Sequence, residues 1–175
     1  MRWDHVKTYY YHNRFYKSSL EIMEIIITSD HAGFELKKEL IPYLIELGYK
    51  IEDRGPSEYH SEDDYPDFIV PVAKEVSKNT DLKAIIIGGS GQGEAIIANR
   101  FENVRAVVYN APNLEIIKLS REHNDANILS LGARFLSVEE AKEAVKLWLE
   151  IEFSNEKRHL RRLAKIKLLG SLITK

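Results

Sequence analysis

The stretch Gly88-Gly89-Ser90-Gly91-Gln92-Gly93-Glu94 sets a carboxylate directly behind a glycine-rich run. Glycines let a backbone turn tightly and bring its N–H groups close to a bound group, with no Cβ in the way. N–H groups gathered where a helix begins favour negative charge. A proton acceptor, Glu94, therefore stands beside an anion cradle, a pairing suited to moving a proton while an oxyanion develops. The spacing is wrong for the dinucleotide fingerprint G-x-G-x-x-G. No Lys-Ser or Lys-Thr follows, as a Walker loop would need. The same residues also suit a plain strand-to-helix turn carrying a first-turn acid.

Other groups read two ways as well. Asp30-His31 falls at a strand end, as site residues or as an N-cap with a surface histidine. His123-Asn124-Asp125 belongs to a site or simply stops a helix and turns the chain. Arg158 and Arg162 are one helical turn apart and share a face, which suits either a solvated stripe or a phosphate held by two guanidiniums. Glu62, Asp63, Asp64 and Asp67 lack EF-hand spacing and read as a hydrated loop, so no metal is expected.

The elements that must position these residues follow from periodicity. Residues 84–87 form an unbroken apolar run ended by glycine, as in a strand buried on both faces. Residues 25–28 read the same way and feed the turn 29–33. Phe34, Leu36, Leu40, Ile41, Leu44 and Leu47 recur at helical spacing, and Gly48 closes that helix. Residues 49–52 alternate as a second strand. An acidic loop runs over 54–64, and Pro66 opens a helix carrying Phe68, Ile69, Val72, Ala73 and Val76. Beyond the glycine turn come a helix around Ala95–Asn99, a strand at 104–109, and a short helix from Leu114 ending near 121–124. A fifth strand at 127–131 follows. Ser137 with Glu140 makes a capping box for a helix through Trp148 and Leu149. A basic helix is expected over about 155–169. Strands alternating with helices predict an α/β fold, a parallel sheet covered on both faces. Ligands bind beyond the carboxyl ends of such strands, where 30–31, 88–94 and the region after Tyr109 converge.

Composition sets bounds. The 175 residues suit one domain, and a net charge of −2 supplies no global field to recruit nucleic acid. The sequence has no cysteine, which excludes disulfides and a thiol nucleophile. No segment approaches the ~20 apolar residues of a membrane span, and the N-terminus lacks a secretory pattern, so a cytoplasmic protein is expected. Residues 1–22 mix Trp3, Tyr9, Tyr10, Tyr11, Phe15 and Tyr16 with basic side chains. They read as an N-terminal extension before a domain spanning 23–175. Stacking of these aromatics on RNA is the alternative.

Together the segments resemble the type B ribose-5-phosphate isomerase family, which includes the galactose-6-phosphate isomerase subunits. The matching text is Ser-Asp-His-Ala-Gly-Phe-Glu-Leu-Lys at 29–37, Asp-Tyr-Pro-Asp at 64–67, Gly-Gly-Ser-Gly-Gln-Gly-Glu at 88–94 and Ala-Asn-Arg at 98–100. Arg-Glu-His-Asn-Asp-Ala-Asn at 121–127, Leu-Gly-Ala-Arg at 131–134 and Arg-His-Leu-Arg-Arg at 158–162 continue it. Many members of that family carry a cysteine where this chain has Gly88. This chain is similar to a second branch, which pairs a Gly-Gly-Ser-Gly turn with a glutamate at the position of Glu94.

The resemblance implies a single-domain, Rossmann-like three-layer sandwich with a parallel five-stranded sheet and a C-terminal basic helix. It implies interconversion of an aldose phosphate and a ketose phosphate, with Glu94 as the base, His123 assisted by Asp30 opening the sugar ring, and Ser90 beside the developing oxyanion. His31, Gly89, Gly91, Gly93, Asn124, Arg134, Arg158 and Arg162 are the implied substrate-binding residues. It further implies sites shared between subunits of a homodimer or homotetramer, a small-molecule sugar phosphate as the ligand, no cofactor, and neither membrane nor nucleic acid as a partner. A six-carbon sugar phosphate, or a binding module without turnover, remains the alternative.

Overall fold

Alternation along the strands decides how the layers form. In the computed structural model, which describes residues 23–173, Ile25 and Ile27 of β1 (Glu24–Ser29) face one side of the sheet and Ile26 faces the other. The same split holds for Ile85 and Ile87 against Ala84 and Ile86 in β3 (Lys83–Gly88), and for Leu129 and Leu131 against Ile128 in β5 (Ile128–Gly132). With β2 (Lys50–Asp53) and β4 (Ala106–Tyr109) these make one five-stranded, wholly parallel sheet in the order β2-β1-β3-β5-β4. The predicted α/β three-layer fold is therefore what the chain adopts.

The first face is covered by α1 (Phe34–Glu46), α4 (Leu114–Glu122) and α5 (Val138–Glu150), through Leu40, Leu44, Ile117, Val145 and Trp148. The second is covered by α2 (Tyr65–Lys78) and α3 (Gln92–Ala98), through Ile69, Val72, Val76 and Ala98. The predicted C-terminal basic helix is α6 (Lys157–Ile173), which runs to the end of the described residues. The expectation for 1–22 lies outside the described residues.

Several boundaries shift by a residue or two from expectation, and two of the shifts bear on the site. The fourth strand starts at Ala106, not 104, because the Asn127 carboxamide takes the Arg105 N–H at 2.8 Å in place of a ladder partner. The helix after the glycine turn starts at Gln92, so Glu94 lies inside its first turn. Gly48 terminates α1 as expected, at φ +91°, a conformation that only glycine adopts cheaply. No helix among the described residues is long and apolar enough to cross a membrane.

The capping box is present: the Ser137 hydroxyl accepts the Glu140 N–H at 3.2 Å, and the Glu140 carboxylate accepts the Ser137 N–H at 2.8 Å. Ser137→Ala should lower stability by about 1 kcal/mol, read by urea denaturation, with catalytic constants unchanged.

Candidate active site

The strand order changes direction between β1 and β3, and their C-terminal ends lie side by side. This is the switch point where two outgoing loops diverge and leave a crevice. After β1 the chain enters a single 3₁₀ turn (His31–Gly33), whose Gly33 N–H is shared between the Asp30 carboxylate at 3.1 Å and the Asp30 carbonyl at 3.2 Å. Gly33 presses on β3: a Cβ there would sit 2.6 Å from the Ile87 carbonyl oxygen. After β3 the glycine turn swings into α3, with Gly91 at φ +76°. Two neighbours brace that turn. The buried Ser130 hydroxyl donates to the Gly91 carbonyl at 2.6 Å, and the Asn110 side chain donates to the Ser90 carbonyl at 3.0 Å.

Between the two loops lies a cleft of about 420 Å³, lined by Asp30, His31, Gly89, Ser90, Gly93, Glu94 and Arg134 together with Ala32, Tyr65 and Phe135. Seven predicted site residues thus meet in one cavity. Gly91 is not on its wall. Its Cα side packs against β5, where a Cβ would lie 3.1 Å from the Leu131 carbonyl carbon.

Glu94 is 4% exposed, and its Oε2 has no hydrogen-bond partner among the described residues. Burial pushes its carboxyl pKa up, and the nearby Asp30 carboxylate pushes the same way, against its own backbone N–H. Between the two opposing effects on this group, loss of water outweighs the start of a seven-residue helix. Asp30, also buried, is raised by desolvation, while its bond to Gly33 and the charge of His31 oppose the shift. His31 is raised chiefly by its hydrogen bond to Asp63. The cleft therefore holds two reluctant carboxylates and, in His31 and Arg134, two basic side chains.

Four predicted residues lie elsewhere. His123 follows α4, and its ring stacks on His159 with centroids 4.2 Å apart and planes 13° apart. Asn124, Arg158 and Arg162 are exposed, and none of the four lines the cleft of their own chain. Sequence reasoning missed Tyr65, whose ring stands against Gly93, and Phe135 at the cleft mouth. Tyr65 had a signal, its place in the Asp64-Tyr65-Pro66-Asp67 block; Phe135 had none.

The reading of the acidic loop as hydrated fails at Asp63. Its side chain is only 10% exposed and is drawn in by His31, whose Nδ1 lies 2.6 Å from Asp63 Oδ1. Among the described residues, Asp30, His31 and Asp63 form the one group whose ligand-type atoms lie within 4.8 Å of one another. The mutual bond already occupies Nδ1 and one carboxylate oxygen.

Residues 25–166 match the sequence profile of the family described as Ribose/Galactose Isomerase. The chain belongs to the ribose/galactose isomerase family. It is 38% identical over 141 residues to the ribose-5-phosphate isomerase B of Mycolicibacterium paratuberculosis, covering 81% of this chain and 87% of that one. It is also 38% identical to the ribose-5-phosphate isomerase B of Escherichia coli, covering 82% and 93%. The crystal structure of ribose-5-phosphate isomerase B from Mycoplasma genitalium with bound ribulose-5-phosphate superposes with a TM-score of 0.81 at 35% identity, covering 85% of this chain and 97% of that chain.

Several residues of the blocks shared with the ribose/galactose isomerases do structural work. Asn99 pairs both ways with the Ala106 backbone at the start of β4. Asn127 ties Arg105 to Asn103, and buried Arg121 holds Asp125 and the Ala126 carbonyl. Lys37, 2% exposed, bonds Asp53 and the Pro56 carbonyl. Gly88 is different: a Cβ built there would overlap Oε1 and Cδ of Glu94. The Glu94 carboxylate fills the volume that any side chain at position 88 would need. Gly88→Ala should displace that carboxylate with little loss of stability, since the obstacle is the tip of a flexible side chain. Turnover should fall by about 10²-fold or more while the melting temperature stays near that of the wild type.

Proposed function

We propose that this protein interconverts ribose 5-phosphate and ribulose 5-phosphate. The observation that carries the reading is the buried Glu94 carboxylate with a free oxygen, set against the glycine turn at the sheet's switch point. Family membership and relatives named ribose-5-phosphate isomerase B support the same reaction. After the furanose opens, Glu94 takes the C2 proton of the aldose to give a cis-enediolate and returns it to C1, while the O2 hydroxyl proton passes to O1. The base is worth about 10²–10⁴-fold. Amides of the Gly89–Gly93 turn and the Ser90 hydroxyl face the developing negative oxygen, each donor worth about 3 kcal/mol. His31 and Arg134 take the phosphate end.

The site is completed by a second copy of the chain. Arg158 and Arg162 are exposed on α6, and the His123–His159 stack holds His123 beside them, away from the cleft of their own chain. Exposed Leu160, Ile166 and Leu169 on the same helix suit burial in a homodimer. In that arrangement His123 of the second copy, with Asp30, moves the ring-opening proton, and its two arginines add to the phosphate site. A cytoplasmic location fits the cysteine-free sequence.

Glu94→Gln should abolish ketose formation in a coupled assay, by about 10²–10⁴-fold, while ribulose 5-phosphate still binds; unchanged turnover would remove Glu94 from the role. Because its pKa is raised, wild-type kcat should be lost, as pH falls, at a higher pH than an ordinary carboxylate's. The sign for stability is opposite: ionising a buried acid costs stability as pH rises, so Glu94→Gln should gain stability at neutral pH and none in acid. Mixing denatured Glu94→Gln and Arg158→Ala chains and refolding them together should regenerate activity that neither variant shows alone. No recovery would overturn shared sites.

A further inference from the structure

His31 is one of two basic side chains in the cleft, and it does not stand there unaided. Its backbone N–H donates to Asp63 Oδ1 at 3.0 Å, and its Nδ1 lies 2.6 Å from the same oxygen. A carboxylate can only accept, so Nδ1 carries a proton and Nε2 is the ring nitrogen left for a ligand. The consequence depends on charge. A neutral ring held this way offers a phosphate dianion only the Nε2 lone pair, and the two repel. A protonated ring offers an N–H. The bond to Asp63 thus suits a phosphate donor only while His31 is an imidazolium.

We propose that Asp63 is a positioning residue of the phosphate site: it locks the His31 ring and holds it protonated, so that Nε2–H donates to the phosphate of the substrate. This rests on the reaction proposed above and assigns a partner to one of its binding residues. Asp63 acts through His31 and does not itself line the cleft. The groups facing the imidazole are few. Asp30, at the end of β1, has a carboxylate oxygen 4.0 Å from Nδ1; Tyr59 of the 54–64 loop stands edge-on with centroids 6.3 Å apart; Arg134, after β5, opposes protonation. Asp63 makes the largest contribution to raising the His31 pKa, ahead of the Asp30 charge. Asp63 lies two residues before Tyr65, the first residue of α2 and part of the cleft wall.

Asp63→Asn keeps the size and the acceptor oxygen but removes the charge. Two measurements on the intact protein separate the possibilities: His31 titration by NMR, and competitive inhibition by inorganic phosphate across pH. In the wild type, His31 should titrate above about 6.5 and phosphate affinity should be lost as pH rises through that raised value. In Asp63→Asn the titration should drop toward about 6.5, and the loss of affinity should move down with it. Phosphate affinity and KM at about pH 8 should then worsen on the order of tenfold, with kcat nearly unchanged. Asp63→Glu should recover part of the shift. An unmoved His31 titration in Asp63→Asn overturns the proposal at Asp63. A titration that moves while phosphate affinity does not overturns it at His31, and leaves the isomerase reading to be judged by Glu94→Gln alone.

Discussion

A parallel sheet buried on both faces leaves its strand ends as the places where polar chemistry can reach a ligand. Here Ile25, Ile26 and Ile27, and Ile85, Ile86 and Ile87, are all essentially inaccessible, so the polar work is pushed out to Asp30 on one strand and to the turn after Gly88 on the next. The register between β1 and β3 then fixes how those two exits face each other: Ser29 pairs with Ile87, and the Asp30 N–H reaches the Ile87 carbonyl. The two facing loops of the cleft inherit their separation from that pairing. Because the strands are rigid, two carboxylates 64 positions apart in the chain, Asp30 and Glu94, are brought to one cleft.

The cleft is also an exercise in controlled desolvation. Burial raises both carboxylates, and the charge of Asp30 adds to the shift of Glu94; a histidine and an arginine line the same cleft. The main-chain turn between them is fixed by Ser130 and Asn110 on the far side, so its amides need not reorganise when charge develops. Stiffness of the frame and reluctance of the base are two aspects of one design, each useless without the other.

The fold was legible because its signals are local. Unbroken isoleucine runs marked the central strands, Ser137 with Glu140 marked a helix start, and Gly48 marked a stop. What stayed hidden required partners distant in sequence. Asp63 looked like one of several acids in a polar loop, and only its approach to His31, 32 residues earlier, distinguishes it from Glu62 and Asp64. Asn127 moved the start of β4 through a side chain 22 residues away. Phe135 lines the cleft only because it follows Arg134, with no pattern to announce it. Gly91 carries a second constraint that the turn motif did not announce, the β5 backbone packed behind it.

The competition of positions 88 and 94 for one small volume bears on how such a protein can diverge. A side chain at 88 and a carboxylate at 94 cannot both keep the place that Glu94 now holds, so a change at either position should be felt first at the other.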